Sequence, residues 1–287
     1  MRRAIRQSLF SDALRLTIFI AILAISIGID TRADAAENSP TTEATSANDI
    51  QTLTAKAEQG DADSQTRLGW IYSAGKLVKQ NYPEALEWFL KASQQGDLIA
   101  QYNLGEMYAH GQGTPKDEAE AVKWWRKAGD NGLAEAQYKL GAWCHDGHFV
   151  PQDFTEALKW FRSGTEQGYP LAEYALATMY ERGQGVEQDD SEAFKLYLKA
   201  AEQGDPSAPG KVGLMYAEGR GVTQDYQEAF FWLDKVAPYA QYTDKEAFAA
   251  IDDVTKHLTQ QQLSDIKARE QTWRPHWWVR PGPSGKP

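Results

Sequence analysis

Apolar residues in this chain fall in short stripes of helical spacing, and the stripes repeat. After Gly96, the residues Ala100, Leu104, Met107 and Tyr108 stand at i, i+4, i+7 and i+8, one face of a helix. His110-Gly111-Gln112-Gly113 breaks the stripe; glycine accepts the positive φ that ends a helix and turns the chain. A second stripe starts from Asp117, with Ala121, Trp124, Trp125 and Ala128 on its apolar face. Gly132 ends it. The unit is a helix–turn–helix of 36 residues, the step that separates Gly60, Gly96, Gly132, Gly168 and Gly204. Ala85, Ala121, Ala157, Ala193 and Ala229 keep the same step, as do Gly75, Gly111, Gly147, Gly183 and Gly219. A fixed period of this length marks stacked repeats, which act by presenting a long surface.

The second helix of each unit has a start signal. Asp117 precedes Glu120 by three residues, and Asp153–Glu156, Asp189–Glu192, Asp225–Glu228 and Asn81–Glu84 repeat the spacing. The first side chain of each pair accepts from the backbone N–H three residues on, and the Glu reaches back, which predicts five capping boxes. Alanine and glycine in the core columns let paired helices approach closely. Trp88, Trp124, Trp160 and Trp232, with Leu196 in the fourth unit, are expected to fill the space between units. Tyr72, Tyr108, Tyr180 and Tyr216 close the first helices, and Cys144 takes that place in the third.

A pattern of A-x-x-x-L-G-x-x-Y-x-x-G-x-G-V followed by D-x-x-x-A-x-x-W-x-x-K-A-A-x-x-G runs through these units. Ala172 to Val186 and Asp189 to Gly204 follow it, with Ala177 for the first Gly and Leu196 for the Trp. Ala100 to Tyr108 matches the first half. In these residues the chain resembles the Sel-like repeat family, a relative of the tetratricopeptide repeats, over residues 57–239. The resemblance implies an all-α fold. It would be a right-handed α/α superhelical solenoid of five 36-residue repeats (near 57–95, 96–131, 132–167, 168–203 and 204–239) with end-capping helices. It also implies partner binding on a curved surface. Three departures stand out. His148-Phe149 replaces the Gly-containing loop of the third unit, and Leu77 does so in the first. Pro206, Pro209 and Gly210 delay the first helix of the fifth unit to near Pro209.

The ends complete the division. Residues 1–35 read as a signal peptide: Arg2, Arg3 and Arg6, an apolar run from Leu16 to Ile29, then Ala33-Asp34-Ala35. That run is shorter than the roughly 20 residues a membrane span needs. The chain is therefore expected to be exported to the periplasm. Residues 36–48 form a Ser/Thr-rich flexible leader, and the solenoid occupies 49–239, opened by a short helix with Ile50, Leu53 and Ala57. In 240–272, Thr243 and Glu246 cap a helix bearing Phe248, Ile251 and Leu258, and Thr259 and Gln262 cap another with Leu263 and Ile266. Trp273 to Pro287 is aromatic, basic and Pro-rich; it either folds back on the end helix or binds a ligand.

Charge narrows the partner. The chain carries 30 basic and 40 acidic residues; residues 1–35 hold five and three of them, leaving 25 and 37, a formal charge of −12. This opposes nucleic acid and an anionic membrane surface as partners. One cysteine gives no disulfide framework. No catalytic motif is present: no phosphate loop, no H-E-x-x-H, no G-x-S-x-G. Disulfide-rich exported relatives described as binding or hydrolysing β-lactams carry paired cysteines in each repeat, unlike this chain, so no enzymatic activity and no cofactor are expected. His145, Asp146 and His148 read as an exposed polar turn, not a metal site, and Cys144 as a buried replacement for Tyr.

The first helices of tetratricopeptide-like stacks line the concave face. Its non-core positions hold Trp70, Glu106, Ala142 and Thr178 in one column and Arg67, Asn103 and Lys139 in another. A groove of Arg67, Asn103, Lys139 and Trp70 is expected to hydrogen-bond an extended protein or peptide partner in the cell envelope and clamp it with one aromatic. The alternative partner is peptidoglycan or another cell-wall glycan, held by Trp70 and Trp277-Trp278.

Overall fold

The computed structural model describes residues 47–243 and 245–273. The signal peptide, nearly all of the leader and residues 274–287 lie outside the described residues. Among the described residues there are thirteen helices and no strand. They are α1 (Ala47–Glu58), α2 (Ala62–Ala74), α3 (Tyr82–Gln94), α4 (Leu98–His110), α5 (Glu118–Asp130), α6 (Ala134–Asp146) and α7 (Phe154–Glu166). Then follow α8 (Pro170–Arg182), α9 (Asp190–Glu202), α10 (Ala208–Glu218), α11 (Tyr226–Thr243), α12 (Lys245–Thr255) and α13 (Gln260–Thr272). From α2 to α11 they form five hairpins, each packed on the next in chain order. The chain is an all-α solenoid, as the period requires. Within the five hairpins the alternate helices that touch are first helices, α2 with α4 and α6 with α8, so the stack curves toward its first helices.

Every first helix ends at a glycine in the left-handed region: Gly75, Gly111, Gly147, Gly183 and Gly219, with φ between 65° and 71°. Every second helix starts at the expected cap. The side chains of Asn81, Asp117, Asp153, Asp189 and Asp225 accept from the backbone N–H three residues on. The returning half of the capping box is absent there. The cap residue's own N–H already donates to the carbonyl of the last core residue of the first helix: Tyr72, Tyr108, Cys144, Tyr180 or Tyr216. That bond closes the turn and frees the glutamate. Glu84 and Glu156 instead accept from the indole N–H of Trp88 and Trp160, at 3.1 and 2.9 Å. The reciprocal box forms at Thr259 and Gln262, which start α13 as expected.

The deepest core lies one residue beyond the tryptophan column singled out by the pattern. Phe89, Trp125, Phe161, Tyr197 and Leu233 are essentially inaccessible, whereas Trp124 is only half-buried. The reason is the glycine opposite. A methyl group on Gly69, Gly105, Gly141 or Gly213 would come within 2.3–2.6 Å of Phe89, Trp125, Phe161 or Leu233. The first helix therefore carries a notch, and a ring of the second helix, or Leu233 in the fifth unit, fills it. Burial of side chains this large supplies roughly 2–3 kcal/mol each. In the fourth unit Ala177 stands for the glycine and Tyr197 for the ring.

A polar thread ties one unit to the next. Buried Gln65, Gln101 and Gln137 donate to the carbonyls of Ala57, Ser93 and Gly129, eight residues back, at the end of the preceding helix. In the fourth unit Glu173 takes that place, fully buried, with the Lys199 ammonium at 2.7 Å and the Gln203 amide at 2.6 Å. A charge so far from water is tolerable only because both partners reach it.

The ends depart from expectation in places. Helix α10 starts late, at Ala208, as the prolines dictate. Helix α11 runs past residue 239, so Thr243 is its last residue and not a cap for α12. Phe248 is 46 % exposed; Ala247 and Val254 bury in its stead, and Leu258 lies beyond the end of α12. Helix α13 lies along α11, with Ile266 buried and Arg269 paired to Glu228. Trp273 folds back: its ring centroid is 5.9 Å from Trp232 and 6.3 Å from Phe231. In this docked helix, burial and the neighbouring Asp234 carboxylate raise the Glu270 carboxyl to about 7.

Two outcomes follow for stability. Gly105→Ala is expected to cost about 2–3 kcal/mol in urea unfolding, the range of an overpacked core. The Trp125 indole is pinned by its bond to the Tyr102 carbonyl at 3.1 Å and has no room to retreat. Gly96→Ala, with nothing near its Cβ, should cost only the strain of φ +89°. At the end cap, undocked Glu270 ionises in the ordinary carboxylate range while docked Glu270 keeps its proton to about pH 7. Docking of α13 therefore weakens as pH climbs between those values and then levels off. Hydrogen exchange of residues 260–272 should show this, and Glu270→Gln should flatten it.

Candidate functional site

The first helices place the expected residues along one side of the stack. Arg67, Trp70, Asn103, Glu106, Lys139, Ala142 and Thr178 are all half-buried. Their polar ends are engaged within the chain, a feature the pattern did not reveal. The Arg67 guanidinium pairs with Asp63 one turn back, at 2.8 Å. The Asn103 amide donates to the Ile99 carbonyl at 2.7 Å. The Thr178 hydroxyl donates to the Tyr174 carbonyl at 3.0 Å and bonds the Tyr197 hydroxyl at 2.9 Å.

The centre of the row is Lys139. Its ammonium pairs with Glu106 of the preceding unit at 2.5 Å. It also stands 5.1 Å from the Trp125 ring, 5.3 Å from Tyr102 and 5.9 Å from Trp143. The contacts with the three rings add to the ion pair. Burial alone would raise the Glu106 carboxyl, but the His110 hydrogen bond and the Lys139 charge outweigh it and hold the group below its ordinary value. Glu106 thus stays ionised and Lys139 stays in place.

Trp143 stands beside Ala142, outside both columns. Its 36-residue equivalents are Ile71, Met107, Met179 and Met215, all buried, so it occupies a core position with a side chain too large for it. The excess stays half-exposed. One edge meets Trp125, ring centroids 3.9 Å apart, and the other meets Phe149 at 4.8 Å. Phe149 stands where the second, fourth and fifth turns have Gly113, Gly185 and Gly221, and it takes the same left-handed conformation, φ 64°. It is the one such non-glycine residue among the described residues. The third turn is therefore altered by an aromatic side chain laid against Trp143, not by a different path.

A second hub lies at the fourth unit. Tyr197, fully buried, donates to Glu181 at 2.8 Å. Glu181 also meets Lys211 at 3.2 Å and Arg220 at 3.1 Å. Burial opposes its charge, but the Tyr197 hydroxyl and the two cations keep its carboxyl low. Its equivalents are Ser73, Ala109, His145 and Ala217, so a carboxylate in that column was the signal available in the sequence. His145 bonds Asp146 and Gln184 through its two ring nitrogens, at 2.6 and 3.0 Å. No group of three or more potential metal ligands exists among the described residues. Burial raises the Cys144 thiol above its ordinary range.

Comparison with known proteins follows the same repeat. The Sel1 repeat model matches residues 62–97, 98–133, 134–169, 170–205 and 211–237. A solved protein from uropathogenic Escherichia coli, a protective antigen displaying an SLR fold, is 34% identical with a TM-score of 0.68. The match covers 77% of this chain and 48% of the antigen, so the chain spans about half that protein's length. A Sel1 repeat protein from Oxalobacter formigenes is 28% identical with a TM-score of 0.63, covering 78% of this chain and 98% of its own. Among curated proteins no match is found.

The Glu106–Lys139 pair is expected to show coupling. In a double-mutant cycle with Glu106→Gln and Lys139→Met, measured by urea unfolding at pH 7, the pair should contribute about 1 kcal/mol. A carboxyl held low in the folded state contributes above its unfolded value and loses that contribution as pH falls through the folded one. The coupling should therefore vanish in acid, below the ordinary carboxylate range.

Proposed function

The chain belongs to the Sel1 repeat family, and on that premise we propose that it is exported to the periplasm and binds a protein partner there as an adaptor, inhibitor or regulator of the cell envelope. The Sel1 fold is a scaffold for protein–protein interaction. The observation that carries the reading is the fixed row on the first helices. Its polar groups are already held by Asp63, Glu106 and backbone carbonyls, and its large rings, Trp70 and Trp143, stay half-exposed. A surface held in this way needs little ordering on binding, and half-exposed tryptophans are the anchors that dominate such contacts. Its hydrogen-bonding capacity is shared, since Glu106 keeps acceptor lone pairs while the donating Lys139 holds it in position. An extended peptide lying across the row would meet acceptors and rings more than free cations.

The first 35 residues support the compartment. Residues 1–35 have the layout of a cleaved export signal, and no helix among the described residues is long and apolar enough to cross a membrane. A formal charge of −12 after cleavage favours a basic partner.

Photocrosslinking in intact cells tests both statements. A photoreactive side chain at Asn103 or Ala142 should attach to an envelope protein at least several times more than one at the exposed Glu87 on the opposite helix row. Equal labelling removes the groove. Attachment to cell-wall material alone would assign the surface to glycan. The N-terminus of protein recovered from periplasmic extracts should be Ala36.

A further inference from the structure

The first helices carry a further series, in which successive units each offer one aromatic ring. Tyr102, Tyr138 and Tyr174 stand 36 residues apart on α4, α6 and α8, and all three are half-buried. Three residues before them, one turn away on the same face, stand Ile99, Glu135 and Leu171, also half-buried. The core side of α6 is elsewhere, at Ala136, Gln137, Leu140, Gly141 and Cys144. Units two, three and four therefore present an apolar pair, an acidic pair and an apolar pair in that order. The rings are fixed in place. Tyr138 lies 6.0 Å from Phe161 and 5.8 Å from Tyr169, and Tyr174 lies 5.1 Å from Tyr197. The acid in the middle is unmatched. Lys139, one turn on from Glu135, is drawn across to Glu106 of the preceding unit. Among the described residues no other cation pairs with Glu135. A ligand complementary to this order has one positive charge between two apolar groups, one group for each unit.

Spacing selects the backbone of that ligand. Successive first helices lie side by side: Glu106 of α4 meets Lys139 of α6, and α6 touches α8. The axes of packed helices stand about 8–10 Å apart. A β-strand returns to one face every second residue, about 6.7 Å, and falls out of step with the units. A polyproline-II segment returns every third residue, about 9.3 Å, and keeps step across three of them. Its proline rings suit aromatic-lined grooves, and its stiffness leaves little to order on binding. On the reading that this row binds a protein, we propose that the partner contributes a polyproline-II segment of the pattern P-x-x-R-x-x-P. The arginine meets Glu135 and stacks on Tyr138. The prolines three residues to either side rest on Tyr102 with Ile99 and on Tyr174 with Leu171. The pattern is the same in both directions, so either chain direction places the charge on Glu135.

Fluorescence anisotropy of labelled peptides with the full chain tests this. Pro-Pro-Pro-Arg-Pro-Pro-Pro should bind at least tenfold more tightly than the same peptide with glutamate at its centre. Glu135→Arg should reverse that preference, which a misfolded chain could not do, since it would lose both peptides. Ala-Pro-Ala-Ala-Arg-Ala-Ala-Pro-Ala should bind at least fivefold more tightly than Ala-Ala-Pro-Ala-Arg-Ala-Pro-Ala-Ala, which has the same composition and a shorter step. Absence of binding overturns the proposal. So does equal binding of the arginine and glutamate peptides or of the two spacings, or a preference that Glu135→Arg leaves unchanged. Tighter binding of a helical alanine-rich peptide, with leucine, arginine and leucine seven residues apart, also overturns it and gives the row to a helix. Should these peptides fail while an envelope protein still attaches at Asn103 or Ala142, the protein-binding surface stands and only the ligand assigned to it falls.

Discussion

The whole stack depends on a small residue of each first helix facing a large side chain of the second. In the first three units Gly69, Gly105 and Gly141 leave a gap too small for a methyl group beside its neighbour, and Phe89, Trp125 and Phe161 fill it. The paired helices can then approach closely enough for the cap residue to bond the last core carbonyl across the turn. That approach sets the angle of each hairpin, and a fixed angle repeated five times sets the curve. Interiors this tightly packed are not continuously deformable, so the row of side chains on the first helices inherits its spacing from the notch. In the fourth unit the ring is Tyr197, and its hydroxyl is absorbed by Thr178 and Glu181 on the row. Core and surface are joined there by one side chain.

Much of this was legible in the residues. The 36-residue step, the helix starts at Asn81 and the four aspartates, the glycine ends and the late start of α10 all rest on local backbone chemistry, which a single sequence carries. The deepest core column was not, because Trp124 and Trp125 are adjacent and both fall on an apolar arc. Only the position of Gly105 across the hairpin decides between them. The return contacts of Glu84 and Glu156 were hidden for a similar reason. A capping box and an indole acceptor ask for the same residue at the same place, and a bond from elsewhere in the turn selects the second. Membership of the Sel1 repeat family agrees with what the period implied about the fold.

The candidate surface was legible as a set of positions but not as a state. Arg67, Asn103 and Lys139 do lie on first helices, yet their partners Asp63, Ile99 and Glu106 come from one turn away or from the neighbouring unit. Pairing across units depends on the offset between successive first helices, which periodicity does not supply. Trp143 and Phe149 depend on each other in the same way. A tryptophan in a methionine column and a phenylalanine in a glycine column look like two separate defects, and the ring contact between them explains both.

Apart from the repeated glutamine thread, the charged links between neighbouring units are not copies of one another. Lys139 with Glu106 and Arg126 with Glu156 join the second unit to the third. Arg162 with Tyr180 joins the third to the fourth, and Glu181 with Lys211 and Arg220 joins the fourth to the fifth. Each of these three seams therefore has its own key, although the hairpins on either side share one backbone plan. Genetic duplication or loss of an internal hairpin would bring together faces whose charges do not match, stranding a carboxylate or a guanidinium at the new joint. An array assembled from interchangeable backbones has in this way acquired a fixed running order, and its length is no longer free to drift one hairpin at a time.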